Sequence, residues 1–362
     1  MRRGSISSNV GGSFFCGRAL WIGLLIGIVG AAHGADDGGT MRPISDMFEP
    51  LSRPAEMIHQ SALLVILITA GIFVVVTAML VYVVWKFRHR GADDKLQEPA
   101  QIYGSSQIEI AWTVIPILIT FVLILVTSRT IGEVQNAPMP KNAIQVRLIG
   151  HQWWWEVRYP EEGIITANEI HVPVSTRAVD GRRPTVFSLE SADVIHSFWV
   201  PQLTGKTDLI PNRTNKTWIE PFATGTYFGN CAAFCGIQHA NMLLRVIVQE
   251  PEDFKRWVAV MRSRNPKPPT PLAEQGRKDF FANSCVNCHR IDGTVAKGGF
   301  GPDLTKLMTR QTLGAGVAPL NAKTLGAWLR DPQKLKVGCL MPDMKLQAGQ
   351  VDSITAYLMT LQ

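Results

Sequence analysis

The sequence predicts a multidomain membrane protein, with a two-helix transmembrane hairpin, an all-β domain and an all-α C-terminal domain in that order along 362 residues. Two long apolar runs predict the hairpin. Short segments of alternating apolar and polar residues, separated by Gly, Pro and Asn, predict the β domain. Beyond a proline-rich stretch, apolar residues recur at helical spacing and predict the α domain.

The N-terminus has the layout of a secretory signal peptide. Three arginines precede an apolar run at residues 19–32, and the Ala-His-Gly sequence that ends at Gly34 resembles a small-x-small cleavage site. The run is shorter than the ~20 residues that a spanning helix needs. We therefore expect residues 1–34 to be a signal peptide cleaved near Gly34, with an uncleaved spanning helix as the alternative.

Residues 35–135 are predicted to hold the transmembrane hairpin. Residues 61–85 form a continuous apolar run, and residues 108–126 form a second one that contains Pro116. A proline in a spanning helix predicts a kink that neighbouring helices tolerate. Basic residues 86–90 follow the first run, and positive charge marks the cytoplasmic side. The prediction is a bacterial inner-membrane protein with two spans, a cytoplasmic loop, and both the N-terminus and the later domains in the periplasm.

Residues 136–260 are predicted to form the β domain. Four strand candidates there are residues 144–148, 185–189, 216–219 and 243–248. Short strands with regular turns predict a sandwich or a Greek-key barrel. Residues 261–271 are rich in proline and predict an extended, semi-rigid linker. Residues 272–362 then form the predicted α domain.

The charge of the chain favours a membrane surface over nucleic acid. The net charge of +7 comes partly from Arg and Lys clusters beside the apolar runs. Such clusters set membrane topology. The later part of the sequence has no run of Arg and Lys interleaved with aromatic residues, so membrane lipid is an expected partner and nucleic acid is not.

A soft metal-ligand set lies in one short segment. Residues 231–242 read Cys-Ala-Ala-Phe-Cys-Gly-Ile-Gln-His-Ala-Asn-Met. Two thiols, an imidazole and a thioether favour copper, and the thioether argues against zinc. His196 is the candidate upstream ligand. A second cysteine allows two thiolates to bridge two copper ions. The alternatives are a structural zinc site and a disulfide between Cys231 and Cys235.

A second redox motif follows about fifty residues later. Cys285-Val-Asn-Cys288-His289 has the spacing of covalent haem c attachment, in which both thiols form thioethers and the histidine binds the iron. Met341 and Met344 are the candidates for the sixth ligand, with core filling as the alternative role for either. Cys339, near both methionines in the sequence, is assigned no role.

From about residue 45 to its end, the chain resembles subunit II of haem–copper cytochrome c oxidases with a fused class I cytochrome c domain. Residues 109–116, Glu-Ile-Ala-Trp-Thr-Val-Ile-Pro, resemble the signature of the family's second helix. Residues 150–155, Gly-His-Gln-Trp-Trp-Trp, resemble its aromatic segment. Residues 193–197 and 231–242 resemble its binuclear copper segments. The resemblance implies a cupredoxin-like Greek-key domain that carries the copper pair, called CuA.

The resemblance also implies roles for individual residues. The implied copper ligands are His196, Cys231, Cys235, His239, Met242 and the backbone carbonyl of Ala233. The family usually has a glutamate at the position of Ala233, and its side chain reaches a magnesium ion at the interface with subunit I, so that magnesium site is not carried over. Class I cytochrome c domains usually present the sixth ligand as Met-Pro, which favours Met341, and Gly301-Pro302 resembles the segment that covers their iron-binding histidine.

Two more residues gain a role from the resemblance. Trp153 resembles the family's electron-entry tryptophan, and strand packing is the alternative. Glu109 resembles a glutamate near the mouth of a proton channel in subunit I, and a solvated helix end is the alternative.

The implied function is an electron relay. A soluble or membrane cytochrome c, or a bc-type complex, gives electrons to haem c, which passes them through CuA to subunit I of a complex that also contains subunit III. Subunit I reduces dioxygen to water and couples this to proton translocation, so the chain is one subunit of an oxidoreductase and carries out no oxygen chemistry itself. The fused domain keeps the donor at high effective concentration.

Two other functions stay open from the sequence. The same relay could feed a nitric oxide reductase, and oxygen uptake by the purified complex separates that function from an oxidase. A membrane-anchored copper carrier or redox sensor is the other alternative, which predicts labile copper and a monomer on extraction.

Overall fold

The structure is a computed structural model that describes residues 47–88, 101, 103–175 and 183–362. The predicted signal peptide lies outside the described residues, as does most of the predicted cytoplasmic loop.

Two long helices form the hairpin. Helix α1 spans Arg53–Lys86 and α2 spans Ser106–Gln135, with Pro116 inside α2. Both are long and apolar enough to cross a membrane. The Oγ atom of Ser61 on α1 lies 2.7 Å from Oγ1 of Thr130 on α2. Apolar side chains along both helices are exposed, as expected where lipid or another subunit covers them.

The β domain is built from two sheets. Its strands are β1 Ile144–His151, β2 Trp154–Tyr159, β3 Ile164–Ala167, β4 Glu169–Pro173, β5 Thr185–Ser191, β6 His196–Trp199, β7 Thr207–Leu209, β8 Asn215–Ile219, β9 Gly225–Cys231 and β10 Leu243–Gln249. One sheet has the order β3-β2-β1-β5-β8, and the other has the order β4-β10-β9-β6-β7. The four predicted strands are β1, β5, β8 and β10.

The core lies between the two sheets. Because side chains alternate across a strand, each strand sends its apolar residues inward, among them Trp155, Phe187 and Phe198, all fully buried. Trp155 lies edge-on to His196, with 6.1 Å between the ring centroids. The core therefore supports the side chain of His196 from behind, at one end of the sandwich.

The C-terminal domain is mainly helical. Helix α3, Pro251–Arg262, follows the last strand of the β domain; the later helices are α4 Pro271–Ala282, α5 Cys285–Cys288, α6 Ala322–Arg330, α7 Pro332–Leu335 and α8 Ala348–Leu358, with a small ladder of β11 Thr312–Leu313 and β12 Ala318–Pro319. Helices α4 and α8 pack closely at Gly276. A Cβ atom there would lie 1.7 Å from the carbonyl oxygen of Ser353, so this crossing requires glycine.

The segment between α3 and α4 is fastened to the C-terminal domain. The Asn265 side chain donates to the carbonyl of Thr305 at 2.6 Å, and Lys306 Nζ donates to Ser263 Oγ at 2.9 Å. The sequence predicts that residues 261–271 form an extended, semi-rigid linker to the last domain. In the structure most of this segment is exposed, and its first residues, Ser263 and Asn265, are hydrogen-bonded to the C-terminal domain.

Candidate metal centres

The candidate copper loop is closed at its base by the sheet. Strands β9 and β10 are antiparallel neighbours, and Cys231 N donates to Met242 O at 3.0 Å. This pairing brings the first and last residues of the loop side by side. The short 3-10 helix His239–Asn241 then turns the chain back to the strand.

The two cysteines face one another beside His196. The ligand atoms of His196, Cys231 and Cys235 all lie within 4.8 Å of one another, and all three residues are buried. The Nδ1 atom of His196 is 3.9 Å from Cys231 Sγ. Cys231 Sγ is also 3.1 Å from the carbonyl oxygen of Ala233, so this oxygen points into the cluster.

The remaining soft donors lie on the other side of Cys235. Its Sγ atom is 3.6 Å from Nδ1 of His239 and 3.8 Å from the sulfur of Met242. The structure thus brings together all six groups that the sequence predicts as copper ligands.

The chemistry of the cluster fits a cation between the two sulfurs. Cys231 and Cys235 are free thiols in the structure, without a disulfide. Hydrogen bonding with Cys235 and His196 lowers the pKa of Cys231 to about 3, against the opposing effect of burial. The thiolate so formed, together with burial, raises the pKa of Cys235. Two adjacent thiolates are unfavourable without a positive charge, and copper bound by soft sulfur and imidazole ligands supplies one.

Asp193 orients the imidazole of His196, a function that the sequence analysis missed. Its Oδ1 atom is 2.8 Å from Nε2 of His196 and accepts from the backbone N–H of Val194 at 2.7 Å, while Oδ2 accepts from the N–H of Gln152 at 2.7 Å. Burial raises the pKa of Asp193, but these hydrogen bonds outweigh it and the net pKa is lowered. A carboxylate on the far nitrogen leaves Nδ1 free to bind metal. The signal in the sequence was a carboxylate three residues before the histidine.

Trp153 lies directly against the copper loop. It is 7% exposed, and its Nε1 donates to the carbonyl of Cys235 at 2.9 Å. Gly236 makes this approach possible, since its φ is +117° and a Cβ atom there would lie 2.9 Å from the indole ring.

A largely apolar cavity contains the predicted haem ligands. Cys285, Cys288 and His289 line it, and so do Met341 and Met344. Residues 152–154 of the β domain line the same cavity. Trp153 therefore borders the candidate haem site and the candidate copper site at once.

His289 is held in the tautomer that iron binding needs. Its Nδ1 donates to the carbonyl of Pro302 at 2.8 Å, which leaves Nε2 without a proton. Gly301 lets this backbone approach the ring, because a Cβ atom there would lie 2.6 Å from Cε1 of His289. Burial lowers the pKa of His289. Two free thiols, a half-buried imidazole hydrogen-bonded through Nδ1 and a thioether around a largely apolar cavity fit a covalently bound haem.

Contacts in the cavity wall favour Met341 over Met344 as the sixth ligand. Trp328 Nε1 donates to the sulfur of Met341 at 3.0 Å. The side-chain amide of Gln333 donates to the carbonyls of both Cys339 and Met341, each at 3.0 Å. These bonds fix the backbone that carries Met341. Neither Trp328 nor Gln333 was singled out from the sequence, since nothing in their local pattern marks them.

Glu109 lies in the first turn of α2, where its side chain is exposed in the isolated chain. Its backbone carbonyl accepts from Thr113 Oγ1 at 2.8 Å. Nothing in the described residues tests its predicted connection with a proton channel, which stays a prediction.

Lys336 was also missed from the sequence. It is 3% exposed, and its ammonium group donates to three backbone carbonyls: Trp153 at 2.7 Å, and Asn241 and Gly314 at 2.8 Å each. Burial lowers the pKa of Lys336 to about 7. Trp153 is 183 positions away in the sequence, so no local pattern could have revealed the contact.

The chain is similar to known subunits of cytochrome c oxidases. The chain is 35% identical over 319 residues to cytochrome c oxidase subunit 2 of Alkalihalophilus pseudofirmus, covering 87% of this chain and 90% of that protein. It is 30% identical over 341 residues to cytochrome c oxidase subunit 2 of Bacillus subtilis, covering 90% of this chain and 94% of that protein.

The chain belongs to the cytochrome c oxidase subunit 2 family. Family models of the cytochrome c oxidase subunit II transmembrane and periplasmic domains match residues 44–130 and 144–250, and a cytochrome c model matches residues 273–362. The crystal structure of the periplasmic domain of subunit II of cytochrome oxidase from Bradyrhizobium japonicum is 30% identical, with a TM-score of 0.32, over 34% of this chain and 97% of that chain.

Several predictions from the sequence are thereby confirmed. The protein is a haem–copper oxidase subunit II with a fused cytochrome c domain. It is a subunit of an oxidoreductase complex that lies in the inner membrane with two spans and a periplasmic redox domain. Family membership implies copper in the β domain and haem in the C-terminal domain.

Proposed function

We propose that this subunit relays electrons from a cytochrome c or a bc-type complex to catalytic subunit I, which reduces dioxygen to water and translocates protons. When bound, a covalent haem c and a binuclear copper centre supply the one-electron chemistry. The observation that carries the proposal is the position of Trp153, whose indole borders the haem cavity and donates to the carbonyl of the copper-loop residue Cys235.

Hydrogen bonds orient the two proposed iron ligands, His289 and Met341. Cys285 and Cys288 would hold the porphyrin by thioether bonds, and the Nε2 atom of His289 would bind the iron because Pro302 holds the other ring nitrogen. Met341 would supply the second protein ligand of the iron. Its sulfur accepts from Trp328, which limits the rotation of the thioether.

The proposed copper ligands are His196, Cys231, Cys235, His239, Met242 and the carbonyl of Ala233. Cys231 and Cys235 would hold the copper pair through their thiolates, and the centre would supply one-electron chemistry with little structural change. His196, Cys231, Cys235 and Met242 are buried, which would exclude water and lower the cost of solvent rearrangement. Ala233 supplies only its carbonyl, so we expect no carboxylate ligand for magnesium at this position.

Replacing His196 with Ala in the purified complex tests the proposal. We expect the electron paramagnetic resonance signal of two coppers sharing one unpaired electron to disappear, and copper content to fall. The optical spectrum of low-spin haem c should be unchanged. A matched control is His171→Ala, which removes a buried histidine of the same domain outside the loop. A wild-type complex that contains zinc, or a disulfide between the two cysteines, would refute the proposed copper site.

The proposed partners are subunits I and III together with a cytochrome donor. Co-purification with subunit I and oxygen uptake driven by reduced cytochrome c are the expected results. Consumption of nitric oxide without oxygen uptake would contradict the proposed reaction while leaving the relay intact.

A further inference from the structure

The haem domain is joined to the copper domain by buried polar contacts. Glu169 of β4 is 1% exposed, and its carboxylate accepts from the backbone N–H groups of Gln311 and Thr312 at 2.9 Å each. Arg310 donates to Thr166 across the same boundary at 3.2 Å. Charged groups are buried at a cost unless they are paired, so these contacts indicate a lasting interface and not a brief encounter.

Lys336 differs from these contacts in what it connects. Its three acceptors lie in three separate segments. Trp153 lies in the aromatic segment, Asn241 lies in the copper loop, and Gly314 lies in the turn after β11. Asn241 directly precedes the proposed copper ligand Met242. Lys336 also lines the haem cavity. One ammonium group therefore ties the haem domain to both parts of the copper site that face it.

The geometry points to Lys336 as the positioning residue that holds the haem domain against Trp153 and the copper loop. This inference rests on the proposed relay. The rate of electron tunnelling falls steeply with distance, so a domain that rocks by a few ångströms spends much of its time too far away to react. Only a protonated lysine can donate to all three carbonyls at once. The bond to Gly314 anchors the ammonium group within the haem domain, and the bonds to Trp153 and Asn241 reach across to the copper domain.

The test is Lys336→Met in the full oxidase complex, with Lys334→Met as the control. Methionine keeps the length and apolar stem of lysine and removes the donors. Lys334 is exposed on the short helix that ends just before Lys336. An external ruthenium dye photoreduces the haem, and optical absorption then follows the reoxidation of haem c and the reduction of copper.

We expect electron transfer from haem to copper to slow on the order of tenfold or more in Lys336→Met, because bonds from a charged donor contribute substantially to docking. The rate should also become dependent on solvent viscosity. The haem spectrum, its reduction potential and the copper resonance should be unchanged. Lys334→Met should behave as wild type.

A second measurement does not depend on electron transfer. Residues 263–270 connect the two domains, and limited proteolysis there should be faster in Lys336→Met than in wild type. A Lys336→Gln variant, which keeps two donor hydrogens, should give intermediate cleavage and an intermediate rate, and it serves if the methionine variant does not assemble.

The inference is overturned if transfer rate and cleavage match wild type, or if either variant loses the copper or haem signal, since Lys336 would then stabilise a site and not a position. It is also overturned if neither variant assembles. Absence of the copper resonance in the wild type would instead refute the proposed function, so the two failures are distinguishable.

Discussion

At the scale of single residues, the proposed copper ligand His196 is oriented by a carboxylate that is not itself a proposed ligand. Asp193 accepts from His196 and from two backbone N–H groups, so its position is fixed by the chain on both sides. Residues that orient a ligand in this way govern metal affinity nearly as much as the ligands themselves.

Replacing Asp193 with Asn should weaken copper binding by roughly 10- to 100-fold. Both oxygens of the Asp193 carboxylate accept hydrogen bonds, whereas an amide has only one accepting oxygen. The NH₂ group of the amide would either face a backbone N–H donor or donate to Nε2 of His196, which would move the proton of the ring to Nδ1. Competition with a copper chelator measures the change. Asp208→Asn, at an exposed position of β7, is the matched control. Equal chelator sensitivity of Asp193→Asn and wild type would show that Asp193 does not orient the ligand.

At the scale of secondary-structure elements, β4 and α3 are joined by a buried histidine. The ring of His171 stacks on Trp257, with centroids 4.5 Å apart and planes 10° from parallel, and its Nδ1 lies 3.1 Å from the side-chain oxygen of Gln249. Burial lowers the pKa of His171 to about 4. The imidazole therefore stays neutral in the folded protein well below its ordinary pKa.

This predicts a specific loss of stability in acid. Between pH 6.5 and 4 the unfolded chain gains a proton at His171 and the folded chain does not, so the free energy of unfolding falls as pH falls, by up to about 3 kcal/mol. His171→Phe keeps the aromatic stack and cannot titrate. Its thermal midpoint, followed by calorimetry, should fall less steeply than that of wild type across this pH range. Parallel pH profiles for the two proteins would rule out His171 as the source.

At the scale of the whole molecule, a buried charged group lies between the β domain and the C-terminal domain. The carboxylate of Glu169 is bonded to the N–H groups of Gln311 and Thr312 and to the Thr312 hydroxyl, and Arg310 lies close enough to favour its charge electrostatically. The haem domain therefore completes the hydrogen bonding of a residue that belongs to the copper domain.

Glu169→Gln should weaken the contact between the two domains by at least about 2 kcal/mol, since hydrogen bonds to a charged group contribute about 1.5–3 kcal/mol. We expect a shared calorimetric transition in wild type to split, with the haem domain unfolding first. Glu161→Gln, at an exposed position of the same domain, should leave the transition unchanged. An unsplit transition in Glu169→Gln would show that other contacts maintain the coupling.

The sequence predicted the parts of this molecule whose determinants are close together along the chain. The copper loop and the haem motif place their ligands within a dozen residues, and the spans are continuous apolar runs. It did not predict what depends on distant segments meeting. Nothing in the local sequence distinguishes Lys336 from a surface lysine, because its three acceptors, Trp153, Asn241 and Gly314, are distant along the chain. The hydrogen bonds that join the proline-rich segment to Thr305 and Lys306 are equally invisible in the local sequence.

The haem domain covers Trp153, and this affects where an external reductant can react. A visiting protein would find this tryptophan already covered, so on the proposed relay it would have to react at a surface of the haem domain away from Trp153. Charges that steer such visitors therefore belong on that outer surface. Changing them would alter second-order kinetics and ionic-strength dependence without affecting the internal handover.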